Sequence, residues 1–261
     1  AQFAQLKQTT ADQHGGSMFM PIYRGGAYST QEDKYEKFGF GDFEDEKLNV
    51  ATIGGWTGMI EHYFVTAWVP PQEQTNTITS RIVDSNFAII GYTGKPVTIE
   101  VNGEQTISSQ LYMGPKTQSV LAVLSPGLDL TVDYGFLWMI SQPLFSLLIW
   151  IQGIVINWGL AIICVTIVVK GAMYWLTKKQ YESMAKMRNL QPKMAQLKER
   201  FGDDRQKMSA AMMEMYKKEK VNPMGGCFPL LLQMPIFLAL YWVLLESVEL
   251  RHADFIFWIT D

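Results

Sequence analysis

One stretch limits what this chain can be. Ile154-Val-Ile-Asn-Trp-Gly-Leu-Ala-Ile-Ile-Cys-Val-Thr-Ile-Val-Val-Lys-Gly-Ala-Met-Tyr-Trp-Leu176 carries a single charged side chain, Lys170. A bilayer core about 30 Å thick needs roughly 20 apolar residues in a helix, so this stretch is long enough to span. A charge at the centre of a spanning helix costs about 2.5–3.5 kcal/mol on insertion scales. Lys170 therefore needs water, a partner or a function to offset it. Two readings stand side by side. Lys170 is about 10 Å from Leu176 along a helix at roughly 1.5 Å per residue, within reach of a lysine that snorkels to the headgroups. Alternatively it sits in a wet pocket, with Thr166 one turn earlier on the same face.

The net charge of −3 conceals a division. Residues 1–137 hold 8 basic and 15 acidic side chains, whereas residues 177–222 hold 12 basic and 6 acidic ones. The basic block lies between two apolar segments, so it belongs on the cytoplasmic side with both flanks outside. Cys164 and Cys227 both fall in apolar segments and leave the redox compartment open. The chain starts in polar sequence, Ala1-Gln-Phe, so an exported acidic domain implies a segment upstream.

Residues 1–47 read as polar and turn-rich, with Gly15-Gly16, Gly25-Gly26 and the acidic Asp42–Glu46 tract as loops or edges. From Leu48 to Tyr134 the pattern predicts short strands: Tyr63–Val69, Ile78–Val83, Phe87–Tyr92, Val97–Val101, Thr106–Met113, Ser119–Leu124 and Leu128–Tyr134. Asp84-Ser85-Asn86 joins two of these. Asn102-Gly103 joins another two as a hairpin turn, because both central positions need positive φ. Strands at this spacing predict an antiparallel β-sandwich.

No charge occurs between Asp133 and Lys170. Within that run, Leu137, Ile140, Leu144, Leu147 or Leu148, and Ile151 recur at helical spacing, beside Ser141, Gln142, Pro143, Ser146 and Gln152. This predicts an amphipathic helix over 136–152 in the outer interface. A second crossing there would put the acidic domain on the wrong side. Trp138, Trp150 and Trp158 suit one headgroup level, Tyr174-Trp175 the other.

Residues 178–220 predict a charged helical hairpin. Met184, Met187, Leu190, Met194, Leu197 and Phe201 step by three or four, with a kink expected at Pro192. Gly202-Asp203-Asp204 ends this helix and caps the next, which carries Met208, Met212 and Met215. Eight of the fifteen methionines fall in residues 184–224. They either fill the hairpin's own seam or offer an adaptable apolar surface to varied partners. Its basic charge is either the ordinary cytoplasmic flank or an attraction for anionic lipid or ribosomal RNA. Asn222 and Pro223 start a second span to about Leu245, with Gly225-Gly226 for close approach, Pro229 and Pro235 weakening its ladder, Gln233 polar at depth and Tyr241-Trp242 at the outer end.

His14, His62 and His252 have no metal-ligand spacing. Neither a phosphate-binding glycine loop nor a nucleophile elbow is present, and Gly39-Phe-Gly41 lacks a third glycine. No enzyme activity, cofactor or metal is expected.

Several motifs together resemble a known family. They are Leu128-Asp-Leu-Thr-Val-Asp-Tyr-Gly135 leading into Phe136–Leu144, Asn157-Trp-Gly159, Gln180–Met187, Leu190-Gln-Pro-Lys193, Gly202-Asp-Asp204, Glu219–Pro223, Gly225–Leu230 and Gln233–Tyr241. Arg24–Ser29 and Gly54-Gly-Trp56 through Ala67-Trp68 add to them. They are similar to the YidC/Oxa/Alb membrane protein insertases, in the Gram-negative form. The resemblance implies a multi-pass protein of the bacterial inner membrane. A periplasmic β-sandwich over 1–134, part of a β-supersandwich, would precede an α-helical membrane core. That core would comprise an interfacial helix at 135–153, transmembrane helices at 154–177 and 222–246, a cytoplasmic hairpin at 178–221 and a periplasmic segment at 247–261. A first span and three later ones would lie outside this chain.

The resemblance also implies an insertase and chaperone acting alone or with the Sec translocon. Lys170 matches the arginine that makes the family's hydrophilic groove positive, keeping the charge but losing the bidentate fork. Trp175 stands where a proline is common. Thr166 and Gln233 would share the groove. Met184, Met187, Lys193, Lys198, Asp203 and Asp204 would meet clients or the ribosome. The partners expected are nascent membrane-protein clients, the Sec translocon, the ribosome and the lipid bilayer, with no small-molecule substrate. Two rivals remain: a membrane-anchored periplasmic carbohydrate-binding module using Trp56, His62 and Trp68, and a transporter whose intramembrane Lys170 couples to an ion.

Overall fold

The computed structural model describes residues 3–9, 22–45, 47–83, 87–202, 204–219 and 228–259. The chain divides into two compact units, Ala1–Phe136 with Leu244–His252, and Leu137–Val243 with Ala253–Asp261.

The first unit is a stack of two antiparallel sheets. Its strands are β1 (Phe3–Thr9), β2 (Gly25–Ser29), β3 (Glu36–Phe38), β4 (Asn49–Ile53), β5 (Trp56–Ile60), β6 (Phe64–Val69), β7 (Thr75–Val83), β8 (Phe87–Gly94) and β9 (Gln110–Pro115). One sheet has the order β1-β8-β7-β4, the other β3-β2-β5-β6-β9. Between them lies an apolar core of Tyr28, Phe38, Phe40, Phe43, Leu48, Met59, Ile78, Ala88 and Ile90. The five-stranded sheet is covered on its other face too. There Ala27, Trp56, Ile60, Val65, Ala67 and Val69 pack with Leu121 and Leu128. Every residue of β2 and β5 is buried in consequence. Gly54 (φ +65) and Gly55 (φ +77) turn the chain from one sheet to the other; a Cβ on Gly55 would stand 2.3 Å from the Ser29 carbonyl.

The cover is helical, which corrects two expected strands. Gln118–Leu124 forms α2, and Leu128–Thr131 a 3₁₀ turn. The β-branched valines suggested a strand, yet Leu121 and Leu124 face inward three residues apart while Val120 and Val123 point to solvent, a helical period. Asn102 takes the predicted positive φ of 67°, and Gly103 N–H donates to the Glu100 carbonyl. That bond closes a turn centred on Val101-Asn102, without the positive φ expected at Gly103, and Val97–Val101 is not a strand. Only β9 continues from it, pairing with β6. Residues 1–47, read as loops, contain β1, β2, β3 and the short helix α1 (Asp42–Asp45), in which Asp42 accepts from Gly39 N–H and Phe43 enters the core.

The second unit is helical: α3 (Trp138–Val155), α4 (Trp158–Ala172), α5 (Tyr174–Phe201), α6 (Arg205–Lys218) and α7 (Phe228–Glu246), whose last three residues group with the first unit. α3 buries Ser141, Leu144, Phe145, Leu148 and Ile151 along one stripe, the face expected from sequence. Ser141 Oγ donates to the Ala239 carbonyl of α7 at 3.3 Å. Ile156, at φ +59, ends α3. Asn157 then caps α4, accepting from Leu160 N–H and donating to the Phe255 carbonyl at 2.8 Å. Gly159 is glycine for space: a Cβ there would meet the Phe255 ring at 2.2 Å.

The expected single span over 154–176 is broken. α4 stops at Ala172, and α4 and α5 meet at Met173 with a bend of 61°. Gly171 weakens the last turn, and the Thr177 hydroxyl bonds the Met173 carbonyl as a new helix begins. α4 is 15 residues long, about 22 Å at 1.5 Å per residue. By length and composition, Gly135–Val155 is the one unbroken helical stretch among the described residues that could cross a membrane; Leu230–Glu246 is apolar but shorter. α5 runs through Pro192 without ending, and Pro235 lies inside α7. The expected features at His14, Gly15-Gly16, Asp84–Asn86, Asp203, Asn222-Pro223, Gly225-Gly226 and Cys227 lie outside the described residues.

Candidate functional site

Lys170 stands in the last turn of α4, two residues before the helix ends. A cation there complements the helix dipole, worth about 0.3–1 kcal/mol at an exposed end. The side chain is exposed. Thr166, one turn back on the same face, donates its hydroxyl to the Ile163 carbonyl at 2.6 Å, so its polarity is partly spent within its own helix. Gln233 is half-buried on α7. The extensive helix packing is α3 on α4 and α5 on α6. Lys170 and Thr166 therefore share a face, and Gln233 joins them only as a residue of another helix. Around them the apolar side chains point outward: Ile163, Ile167 and Val168 on α4, Leu230, Leu231 and Phe237 on α7.

The hairpin brings α5 and α6 together around a cleft of about 720 Å³ lined by Lys193, Leu197, Arg200 and Phe201 against Met215 and Glu219, among others. Lys193 Nζ pairs with Glu219 Oε1 at 2.5 Å, and that hydrogen bond holds the Glu219 carboxyl below its usual range. The methionines divide between seam and surface. Met194 takes a hydrogen bond from Tyr216 OH at 3.7 Å, and Met187, Met208, Met212 and Met215 are half-buried. Met184 and Met213 are exposed. Lys198 is exposed. Asp204 caps α6, accepting from Lys207 N–H at 3.1 Å, which lowers its carboxyl from the usual range. Asp203 lies outside the described residues.

The β unit holds a polar cluster that the sequence did not suggest. Lys116 is 3% exposed, and its ammonium donates to the Thr131 carbonyl at 3.1 Å. Burial pushes it down to about 8, against the pull of Glu246 and Asp133. Gln118 Nε2 donates to Tyr134 OH at 2.5 Å, and burial raises that phenol. His62 Nε2 lies 3.2 Å from Glu246 Oε1; burial, then Lys116 and Arg251, lower its basicity. These residues are far apart in sequence, and no local motif joins them. Of the three side chains considered for sugar stacking, Trp56 is 1% exposed and stacked on Tyr35, so it serves the core. Trp68 bonds the Gln5 carbonyl, and His62 belongs to the cluster just described.

A two-sheet domain with an acidic surface, joined to apolar helices and a basic helical hairpin, defines an inner-membrane protein with a periplasmic β domain. Comparison with known proteins gives the same division. Residues 1–147 match the family described as YidC periplasmic domain, and residues 150–261 the one described as 60Kd inner membrane protein. The chain belongs to the YidC family. It is similar to the membrane protein insertase YidC of Pseudoalteromonas atlantica, 68% identical over 260 residues, covering 100% of this chain and 48% of the relative. The YidC of Shewanella pealeana is 59% identical over 99% of this chain and 47% of its own length. The YidC of Psychromonas ingrahamii is 58% identical over 99% and 46%. The chain thus spans about half the length of the curated relatives it matches.

Proposed function

We propose that this chain is part of a membrane protein insertase and chaperone, with Lys170 as the cation that draws clients into the bilayer. The observation that carries this reading is a lone lysine in the last turn of an otherwise apolar helix, beside Thr166. A charge in a low-dielectric wall produces a strong local field. That field would attract the short acidic or polar outer tail of a client and lower the barrier to its crossing. The client's apolar helix would then leave along the outward-pointing side chains of α4 and α7, with Gln233 within the same groove. No group-transfer step is involved.

The topology follows from charge. The acidic β unit stays in the periplasm and the basic hairpin in the cytoplasm. Between them the chain must cross once, so α4, continued by the first turns of α5, crosses, and α3 lies in the outer interface. α3 has the form for it: one buried stripe and exposed Trp138 and Trp150. The second crossing is α7. The hairpin would receive clients from the ribosome or the Sec translocon, Met184 and Met187 supplying adaptable apolar contact and Lys193, Lys198, Asp203 and Asp204 the polar rim.

Replacing Lys170 by alanine and by glutamate in the full-length protein tests the groove. Insertion of clients with acidic outer tails, followed by protease protection, should fall with Lys170→Ala and fall further with Lys170→Glu. Normal insertion by the glutamate variant would overturn the mechanism.

A further inference from the structure

The segment Leu244–His252 folds with the β unit and is tied to it through polar and charged side chains. Glu246 approaches His62, Nε2 to Oε1, at 3.2 Å. Glu249 Oε1 accepts the Gln118 N–H at 3.2 Å. The Arg251 guanidinium lies 4.1 Å from the centre of the Tyr63 ring, against which His62 also stacks at 3.8 Å. Thr117 provides no side-chain cap for α2, so Glu249, 131 residues away from Gln118, supplies an acceptor at that helix start. The apolar side chains of the segment contribute less: Val248 and Leu250 are only half-buried. The other oxygen of Glu249 is buried without a hydrogen-bond partner among the described residues, which weakens the hold further.

We infer that Glu246–Arg251 is a releasable strap, fastened to the β5–β6 turn and to the start of α2 by charge and hydrogen bonds, which opens while the two sheets beneath it stay folded. Segments with few buried apolar contacts open locally at far lower free energy than a sealed core. Opening uncovers the Tyr63 ring and the Gln118 N–H, neither of which belongs to the apolar core.

Amide exchange of the full-length protein in lipid nanodiscs, read by peptide, tests this. Residues 247–252 should exchange at least about tenfold faster than β5 and β8. Glu249→Ala, which removes the acceptor for the Gln118 N–H, and Arg251→Gln should each speed exchange in the strap severalfold and leave β5 and β8 unchanged. Raising sodium chloride from about 0.05 to about 0.5 M should act in the same direction, through the exposed Arg251, whose charge is screened. Val248→Ala, which trims an apolar contact, should matter less than Arg251→Gln. Exchange of the strap in step with β5 and β8, a strap insensitive to both charge variants, or a Val248→Ala effect larger than that of Arg251→Gln, would each overturn the proposal.

Discussion

The two units bury their apolar residues differently. In the β unit, the strands β2 and β5 are enclosed on both faces, and cores above and below them draw on eight or more buried residues each. In the 28-residue helix α5, the only buried side chain is Leu190. The same contrast holds for polar groups. The β unit carries buried Lys116, Gln118 and Thr131, tied by named hydrogen bonds, whereas the hairpin's Lys193–Glu219 and Asp204–Lys207 pairs lie open to solvent. A sealed core makes one cooperative block. A hairpin joined along one thin seam is the part of a molecule that opens first and can re-form around something else.

The sharpest way to break this comparison is to delete the same kind of atoms from each unit. Ile90 is 0% exposed between the sheets, and Ile90→Ala should destabilise the β unit by about 4 kcal/mol, through lost transfer energy and the cavity left behind. Denaturant unfolding of the full chain, followed by exchange protection in β8, measures it. A loss below about 1 kcal/mol would show that the space between the sheets is not a packed core.

The next effect is a pH dependence confined to the β unit. Lys116, with its ordinary value at 10.5, is pushed down to about 8 by burial. Between those values the unfolded chain binds a proton that the folded one does not, so stability rises with pH across that window. The full rise is about 3 kcal/mol at 1.36 kcal/mol per pKa unit. Tyr23, Tyr35 and Tyr134 work the other way. Burial raises their phenols above the ordinary 10.0, so folding keeps protons that the unfolded chain loses, and stability declines above about pH 10. Unfolding midpoints should therefore climb from pH 7.5 to 9.5, and Lys116→Met should flatten the climb. A flat profile in the unmutated chain would place Lys116 in contact with water.

Leu190→Ala is the matching experiment in the hairpin. Leu190 is 4% exposed but is the only buried side chain of α5, so the expected loss is about 2 kcal/mol, at the low end for a buried leucine. Its effect should stay within residues 174–218 and leave β8 protection unchanged. Spreading to the sheets would erase the contrast between the units.

What the sequence revealed follows the same division. β6 and β7 were legible because one face is buried and the other less so, leaving a period of two, whereas β8, buried continuously from Ala88 to Tyr92, was legible as an apolar run after the Asp84-Ser85-Asn86 turn. β2 was not, because Gly25-Gly26-Ala27-Tyr28-Ser29 is enclosed on both faces and its glycines imitate a loop. α2 was misread because a seven-residue helix offers only Leu121 and Leu124 as inward marks. In the helical unit, the α3 stripe and the methionine spacing of the hairpin were visible in advance. The break at Met173 was not, since apolar composition continues across it. Lys170 and Thr166 stood out because charge is rare in an apolar run. The cluster of Lys116, His62, Glu246 and Glu249 did not, because tertiary folding alone joins residues so distant in the chain.

The smallest expected effect bears on the weaker unit. Asp204 caps α6 through the Lys207 N–H, and its ammonium lies 3.0 Å from the same carboxylate. The folded-state carboxyl sits below the ordinary 3.8, so the cap's contribution is present above that value and is lost as pH falls through the folded one. Asp204→Ala should lower the helicity of α6 near neutral pH by a small, measurable amount, and Asp204→Asn or Asp204→Ser should restore most of it, since each retains an oxygen acceptor. If asparagine fails where aspartate succeeds, the negative charge at the helix start, and not the capping hydrogen bond, holds α6 in place. The hairpin's residual order would then be electrostatic and fall with added salt, in contrast to the sheets, whose apolar cores do not depend on it.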